Sequence, residues 1–204
     1  MEQNQQPQPP VFKEVQQQPA APQYQPRVTA TPMMQPIEAI VTCLKKYFDI
    51  KGRARRSEFW WFALFVFIVS SVLTYLSGLV PAVAYVSAVF TIGTFIPLLT
   101  ALTRRMHDIN RSGIWVAMLA LCFLGYYVTF AMLFGPNISM FANSADVMGM
   151  ADDIVDIVQS SQGLAVLMLC FSMGAILFFI IDHILAAFDS KWGENKYGPS
   201  PKYQ

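Results

Sequence analysis

The sequence predicts an all-α integral membrane protein: a four-helix bundle with a short N-terminal interfacial amphipathic helix and a disordered N-terminal tail. Three observations lead there. Hydrophobic residues make up 54% of the 204-residue chain and charged residues only 13%, against roughly 25% charged in soluble domains. A small domain in water still needs a charged surface, so this deficit marks lipid as the solvent. The uncharged residues gather into runs long enough to cross a bilayer, and every lysine and arginine falls on the same side of those runs.

Residues 1–36, MEQNQQPQPPVFKEVQQQPAAPQYQPRVTATPMMQP, are rich in proline and glutamine. Such a segment buries too little apolar surface to offset its ordering entropy, so it is expected to be disordered and partly polyproline II. It reads first as a tether and second as a docking arm for a cytoplasmic protein partner. No secretory leader is expected, because no short apolar stretch precedes a cleavage site. The membrane domain is expected over 37–201.

In the segment 37–51, Ile37, Ile40, Val41, Leu44, Tyr47 and Phe48 share one helical face, while Glu38, Lys45, Lys46 and Asp49 fall elsewhere. This suits a helix lying in the membrane interface, or one packed by that face on the bundle. From Phe59 to Thr103 no residue is charged. A span takes about 20 residues, so the run is two helices, expected at about 59–77 and 82–103. Ser77, Gly78 and Pro81 mark the turn between them. A third span is expected at 112–134, ended by Gly135-Pro136-Asn137, and a fourth at 163–188.

Basic residues orient the spans. Lys45, Lys46, Lys51, Arg53, Arg55 and Arg56 precede the first, Arg104, Arg105 and Arg111 join the second to the third, and Lys191, Lys196 and Lys202 follow the fourth. The loop 135–162 has no lysine or arginine, and carries Asp146, Asp152, Asp153 and Asp156. Both termini are therefore expected in the cytoplasm and that acidic loop outside. Within it, Val147, Met150, Ala151, Ile154, Val155 and Val158 keep helical spacing, with Asp153 and Asp156 opposite, which reads as a surface helix with a solvated acidic face.

Some function classes are set aside by composition. Cys43, Cys122 and Cys170 are far apart, odd in number and lack CxxC spacing, so neither a disulfide framework nor a zinc site is expected. The acidic loop lacks EF-hand spacing. No metal, no other cofactor and no nucleic-acid partner is expected; the net charge is only +1.

Three polar constellations remain on the cytoplasmic side. KGRARRSEFWW (51–61) places Arg53, Arg55 and Arg56 at headgroup level with Trp60 and Trp61 as an interfacial anchor, and Glu58 beside a membrane asks for a partner such as one of the arginines. RRMHDINRSG (104–113) is expected as a loop in which Arg104, Arg105, His107, Asp108 and Asn110 gather. Those residues offer either a general base beside two guanidinium groups or a hydrogen-bonded turn that fixes two helices, and the turn is favoured. DHILAAFDSKWGENKYGPSPK (182–202) places Asp182 and His183 near the inner end of the fourth span, where an ionisable group should face the bundle. Arg55, Glu58, Arg105, Asp108 and Asp182 are expected to form one ion-pair network.

Taken together, GRARRSEFWW, RRMHDINRSG and GENKYGPSP resemble the three signatures of the bacterial inner-membrane family named domain of unknown function 805. The resemblance covers about residues 40–201. The Gln/Pro-rich tail is an addition, and the tryptophan pair usual after Ser-Gly is here Ile114-Trp115. The resemblance implies a four-helix protein of the bacterial cytoplasmic (inner) membrane and brings no established activity.

The leading functional expectation is a non-enzymatic module. Its basic cytoplasmic face, built from Arg53, Arg55, Arg56, Glu58, Arg104, Arg105, His107, Asp108, Asn110 and Asp182, would bind anionic phospholipid or a protein partner. The alternative is an enzyme acting on a lipid or isoprenoid phosphate, with His107 or Asp108 as base and Arg55, Arg104 and Arg105 as clamp. A transporter fits least, since the middle of each span lacks charge and no inverted repeat is visible.

Overall fold

The computed structural model describes residues 30–137 and 147–203. Among them are six α-helices: α1 (Pro36–Lys45), α2 (Arg56–Leu79), α3 (Val83–Asp108), α4 (Ile114–Phe134), α5 (Val147–Ser160) and α6 (Gln162–Ala187), with a 3-10 turn at Gly135–Asn137. No named strand occurs among the described residues, only the isolated bridges Ala30–Tyr203 and Asn195–Gly198. Helices α2, α3, α4 and α6 are long and apolar enough to cross a membrane. Their outer surfaces carry exposed Phe67, Ile92, Leu124 and Met173, the kind of apolar exterior that lipid covers and water does not tolerate. The expected disorder of residues 1–29, and Asp146 of the acidic loop, lie outside the described residues.

The helices associate as two pairs, α2 with α3 and α4 with α6, and α1 packs on α2. Close approach within the second pair depends on glycine. A Cβ on Gly125 would lie 2.5 Å from the ring of Phe171, so only hydrogen fits there. The main cluster of buried residues lies at one end of the spans. Phe59 and Phe62 of α2, Ala101 and Met106 of α3, Val116 and Leu119 of α4 and Ala186 of α6 form one cluster, and all belong to the helix ends that carry the basic residues.

Several boundaries differ from the sequence expectation, each for a physical reason. The helix expected over 37–51 stops at Lys45. Its inward stripe is Ala39, Ile40 and Cys43, whereas Ile37, Val41, Leu44 and Phe48 stay exposed. Tyr47 leaves the helix to donate its hydroxyl to the Gly93 carbonyl at 2.8 Å. That carbonyl is free because Pro97, four residues on, has no N–H to offer it. Burial, with the charge of Glu58 beside it, pushes the Cys43 thiol up to about 12, and the side chain packs in the core as a small apolar group.

The stretch 104–108, expected as loop, is the last turn and a half of α3. Helix persists there because its charged side chains find partners inside the protein. It ends at Asn110, whose φ of +63° is left-handed. The Arg111 N–H reaches back to the Met106 carbonyl at 2.9 Å and the Asn110 N–H to that of His107 at 3.0 Å, a Schellman closure in which asparagine tolerates the position normally given to glycine. Finally, residues 30–32, expected within the disordered tail, are hydrogen-bonded. The Thr31 N–H bonds the Lys202 carbonyl at 2.8 Å.

Candidate functional site

Gly52, at φ +80°, turns the chain after α1 so that Arg53 and Ala54 run beside the end of α3. The Ala54 N–H there donates to the Arg104 carbonyl at 3.0 Å. This places Arg53 where the three sequence motifs meet. Its Nε donates to Asp108 Oδ1 at 3.0 Å, its Nη1 to the carbonyls of Gly193 at 2.7 Å and Gly198 at 3.2 Å, and its Nη2 to that of Lys191 at 2.5 Å. Gly193 and Gly198 both have positive φ, +77° and +119°, and the turns they allow aim these carbonyls at one guanidinium.

Asp108 is shared. Its Oδ2 pairs with Arg105 Nη1, and Arg105 also donates to the carbonyls of Phe188 and, at 3.0 Å, Ala186. Glu58 pairs with Arg104 Nη1. All five side chains are sealed from solvent. His107 Nδ1 lies 3.3 Å from the Gly52 carbonyl, its ring stacks on Tyr197 at 3.8 Å between centroids, and its own carbonyl accepts from Asn195 Nδ2 at 2.9 Å. These contacts clamp the C-terminal segment onto the end of α3.

The expected list thus divides. Arg53, Glu58, Arg104, Arg105 and Asp108 form internal pairs, His107 stacks, and exposed Asn110 makes a turn. The expected network is corrected in three places, and only its Arg105–Asp108 pair remains: Glu58 pairs instead with Arg104. Arg55 pairs with no acid among the described residues: its guanidinium donates to Thr31 Oγ1 at 2.7 Å and to the carbonyls of Pro32 at 2.6 Å and Thr31 at 2.9 Å. Asp182 is fully buried, and neither carboxyl oxygen has a hydrogen-bond partner among the described residues. It lies one helical turn from Phe178 and one from Ala186, whose carbonyl Arg105 takes, so Arg105 has satisfied itself without it.

Arg55 and Arg56 instead border a cavity of about 710 Å³ beside the first turn of α2. Lys202 is its third cation, Ser57 and Ser190 line it, and Trp60, Trp61 and Leu64 form its apolar wall. Thr31 and Met33 close one side. The start of α2 has no side-chain cap, so its first N–H groups and the positive end of the helix dipole are available there. Ser190 is only 7% exposed, and its Oγ and that of Ser57 are buried with no hydrogen-bond partner among the described residues. One acid faces these cations. Asp189 accepts from Lys202 at 2.7 Å and pairs with Arg56 at 3.2 Å. The Lys202 hydrogen bond holds the Asp189 carboxyl below the usual carboxylate range, and the same bond holds the ammonium above its ordinary value. Three cations, one anion, two hydroxyls without partners among the described residues and an uncapped helix start have the chemistry that suits a negatively charged group. No cluster of three or more His, Cys, Asp or Glu gathers as for a metal among the described residues.

Sequence reasoning named Trp60 and Trp61 as anchors but did not place Ser57, Ser190 or Lys202 at a site. Ser57 had one available signal: it follows two arginines at a helix start. Ser190 and Lys202 had none, because only the folded tail returns them to α2.

Among curated proteins, the chain is similar to inner membrane protein YhaI of Escherichia coli (strain K12), 35% identical over 89 residues, covering 43% of this chain and 75% of that protein. It is similar also to inner membrane protein YhaH of the same strain, 30% identical over 94 residues, covering 42% of this chain and 74% of the relative. No solved structure matches. A family model described as protein of unknown function (DUF805) matches residues 47–199, a stretch that contains the first two motifs, all but the last two residues of GENKYGPSP, and the whole Arg53 junction. The chain belongs to the DUF805 family of membrane proteins.

Proposed function

We propose that this protein is a non-enzymatic module of the bacterial cytoplasmic membrane that binds the headgroup of an anionic lipid at its basic end, with both termini in the cytoplasm. The cavity beside α2 carries the reading. It combines Arg55, Arg56 and Lys202 with the unpartnered Ser57 and Ser190 hydroxyls and a tryptophan wall at the level where a span leaves the bilayer. Basic groups near an anionic surface each attract it by about 1 kcal/mol, and the placement of all lysines and arginines on one side of the spans supports the orientation. The enzymatic alternative finds less support, since Asp108, Arg104 and Arg105 are sealed in internal pairs and His107 does not border the cavity. The test is lipid analysis of the full chain extracted in native nanodiscs. Anionic phospholipid should be enriched over the bulk membrane, and the enrichment should vanish in an Arg55→Gln/Lys202→Gln variant. A wild-type lipid content equal to bulk would contradict the proposal.

A further inference from the structure

We infer that the headgroup cavity continues into the cleft between α2 and α6, so that the ligand is a phospholipid held by its phosphate and one acyl chain together. The inference rests on the proposed headgroup reading and narrows it: a free phosphate-bearing molecule would fill only half of the site.

The continuity is in shared walls. A second cavity, of about 470 Å³, is bordered by Trp60 and Leu64, which also border the first, and continues past Phe67 and Ser70 of α2 against Phe179 and His183 of α6. The change in character along it matches the ligand. At the α2 start the lining is Arg55, Arg56, Ser57 and Ser190; beyond Trp60 it is almost wholly apolar. The length matches too. From Trp60 to Ser70 the helix rises about 15 Å at 1.5 Å per residue, half of a hydrocarbon core of about 30 Å, which is the depth of one leaflet. The far wall is held firm. His183 Nδ1 bonds the Phe179 carbonyl at 2.8 Å, and its ring lies 5.8 Å from that of Phe59 and 6.0 Å from that of Trp60. Because α2 packs on α3 and α6 on α4, the cleft runs between the two helix pairs and is left open to a chain from the bilayer.

The test uses the full chain in phosphatidylcholine vesicles, with Trp115→Phe and Trp192→Phe so that Trp60 and Trp61 report. Dibrominated phosphatidylglycerol, whose acyl-chain bromines quench tryptophan on contact, is compared with dibrominated phosphatidylcholine. A several-fold preference for the glycerol headgroup lipid is expected, unaffected by millimolar glycerol phosphate. Ala63→Phe, which fills the cleft near its mouth, and Ser70→Leu, which fills it further on at a half-buried position, should each bring that preference close to one. If both variants keep it and glycerol phosphate displaces the lipid, the cleft is not part of the site, while the headgroup proposal stands. If wild type shows no preference, both fall.

Discussion

Glu58, in the first turn of α2, and Arg104, one turn before the end of α3, form an ion pair closed off from solvent, with the remaining Arg104 Nε and Nη2 buried and without hydrogen-bond partners among the described residues. The pair joins the two helices at the end where the core is concentrated. Removing one partner of a buried pair costs about 3–5 kcal/mol because the other charge is stranded. Glu58→Leu and Arg104→Met should each lower unfolding stability in detergent by about that much, and the double variant Glu58→Leu/Arg104→Met should recover most of the loss. Additive losses in that cycle would mean that the two charges do not interact.

Asp182 behaves in the opposite sense. A buried carboxyl without a partner destabilises the fold that contains it, so Asp182→Asn should leave the melting temperature unchanged or raise it. Combined with Arg105→Ala, its effect should add simply, since Arg105 is engaged by Asp108 and two carbonyls. A marked fall for Asp182→Asn alone would show a partner for the carboxylate.

The spans and the side on which the basic residues lie were legible because uncharged length and lysine–arginine placement are properties of the chain alone. Glu58 also announced itself, as an acid beside a membrane, although its partner proved to be Arg104. What stayed hidden needed the return of the tail. Gly193 and Gly198 aim carbonyls at Arg53 only when left-handed turns bring 191–198 back to α3, and Lys202 reaches α2 the same way. The cost of an ionisable group at membrane depth assigned Asp182 to an inward face but said nothing of which inward acceptors Arg105 would already hold.

Residues 30–34 offer a separable test. Deleting 1–34 removes Thr31 and Pro32, which accept three hydrogen bonds from Arg55, whereas deleting 1–29 spares them. The shorter chain should melt a few degrees below the longer one and bind anionic vesicles differently, because Arg55 is released. Identical behaviour of the two truncations would show that this strap contributes nothing.

Asp189 balances the cavity by holding both Arg56 and Lys202. Its carboxyl is depressed by the Lys202 hydrogen bond, so the stabilisation it gives is complete above its unfolded value of about 3.9 and is lost as pH falls through the still lower folded value. Between pH 5 and 9 the Asp189–Lys202 pair stays charged, since its carboxyl is lowered and its ammonium raised, and preference for phosphatidylglycerol should be flat. Asp189→Asn frees two cations and should tighten anionic lipid binding a few-fold, at a cost under about 1 kcal/mol for so exposed a pair. Weaker binding in vesicle titration would mean that Asp189 positions the cations and does not compete with the ligand.

The most direct measurement is native mass spectrometry of the full chain released from bacterial membranes under mild conditions, beside the Arg55→Gln/Lys202→Gln variant. The account predicts that wild type retains one anionic phospholipid through activation that strips zwitterionic lipid, and that the variant loses it. Equal retention by the two proteins, or a retained lipid that is zwitterionic, would contradict it.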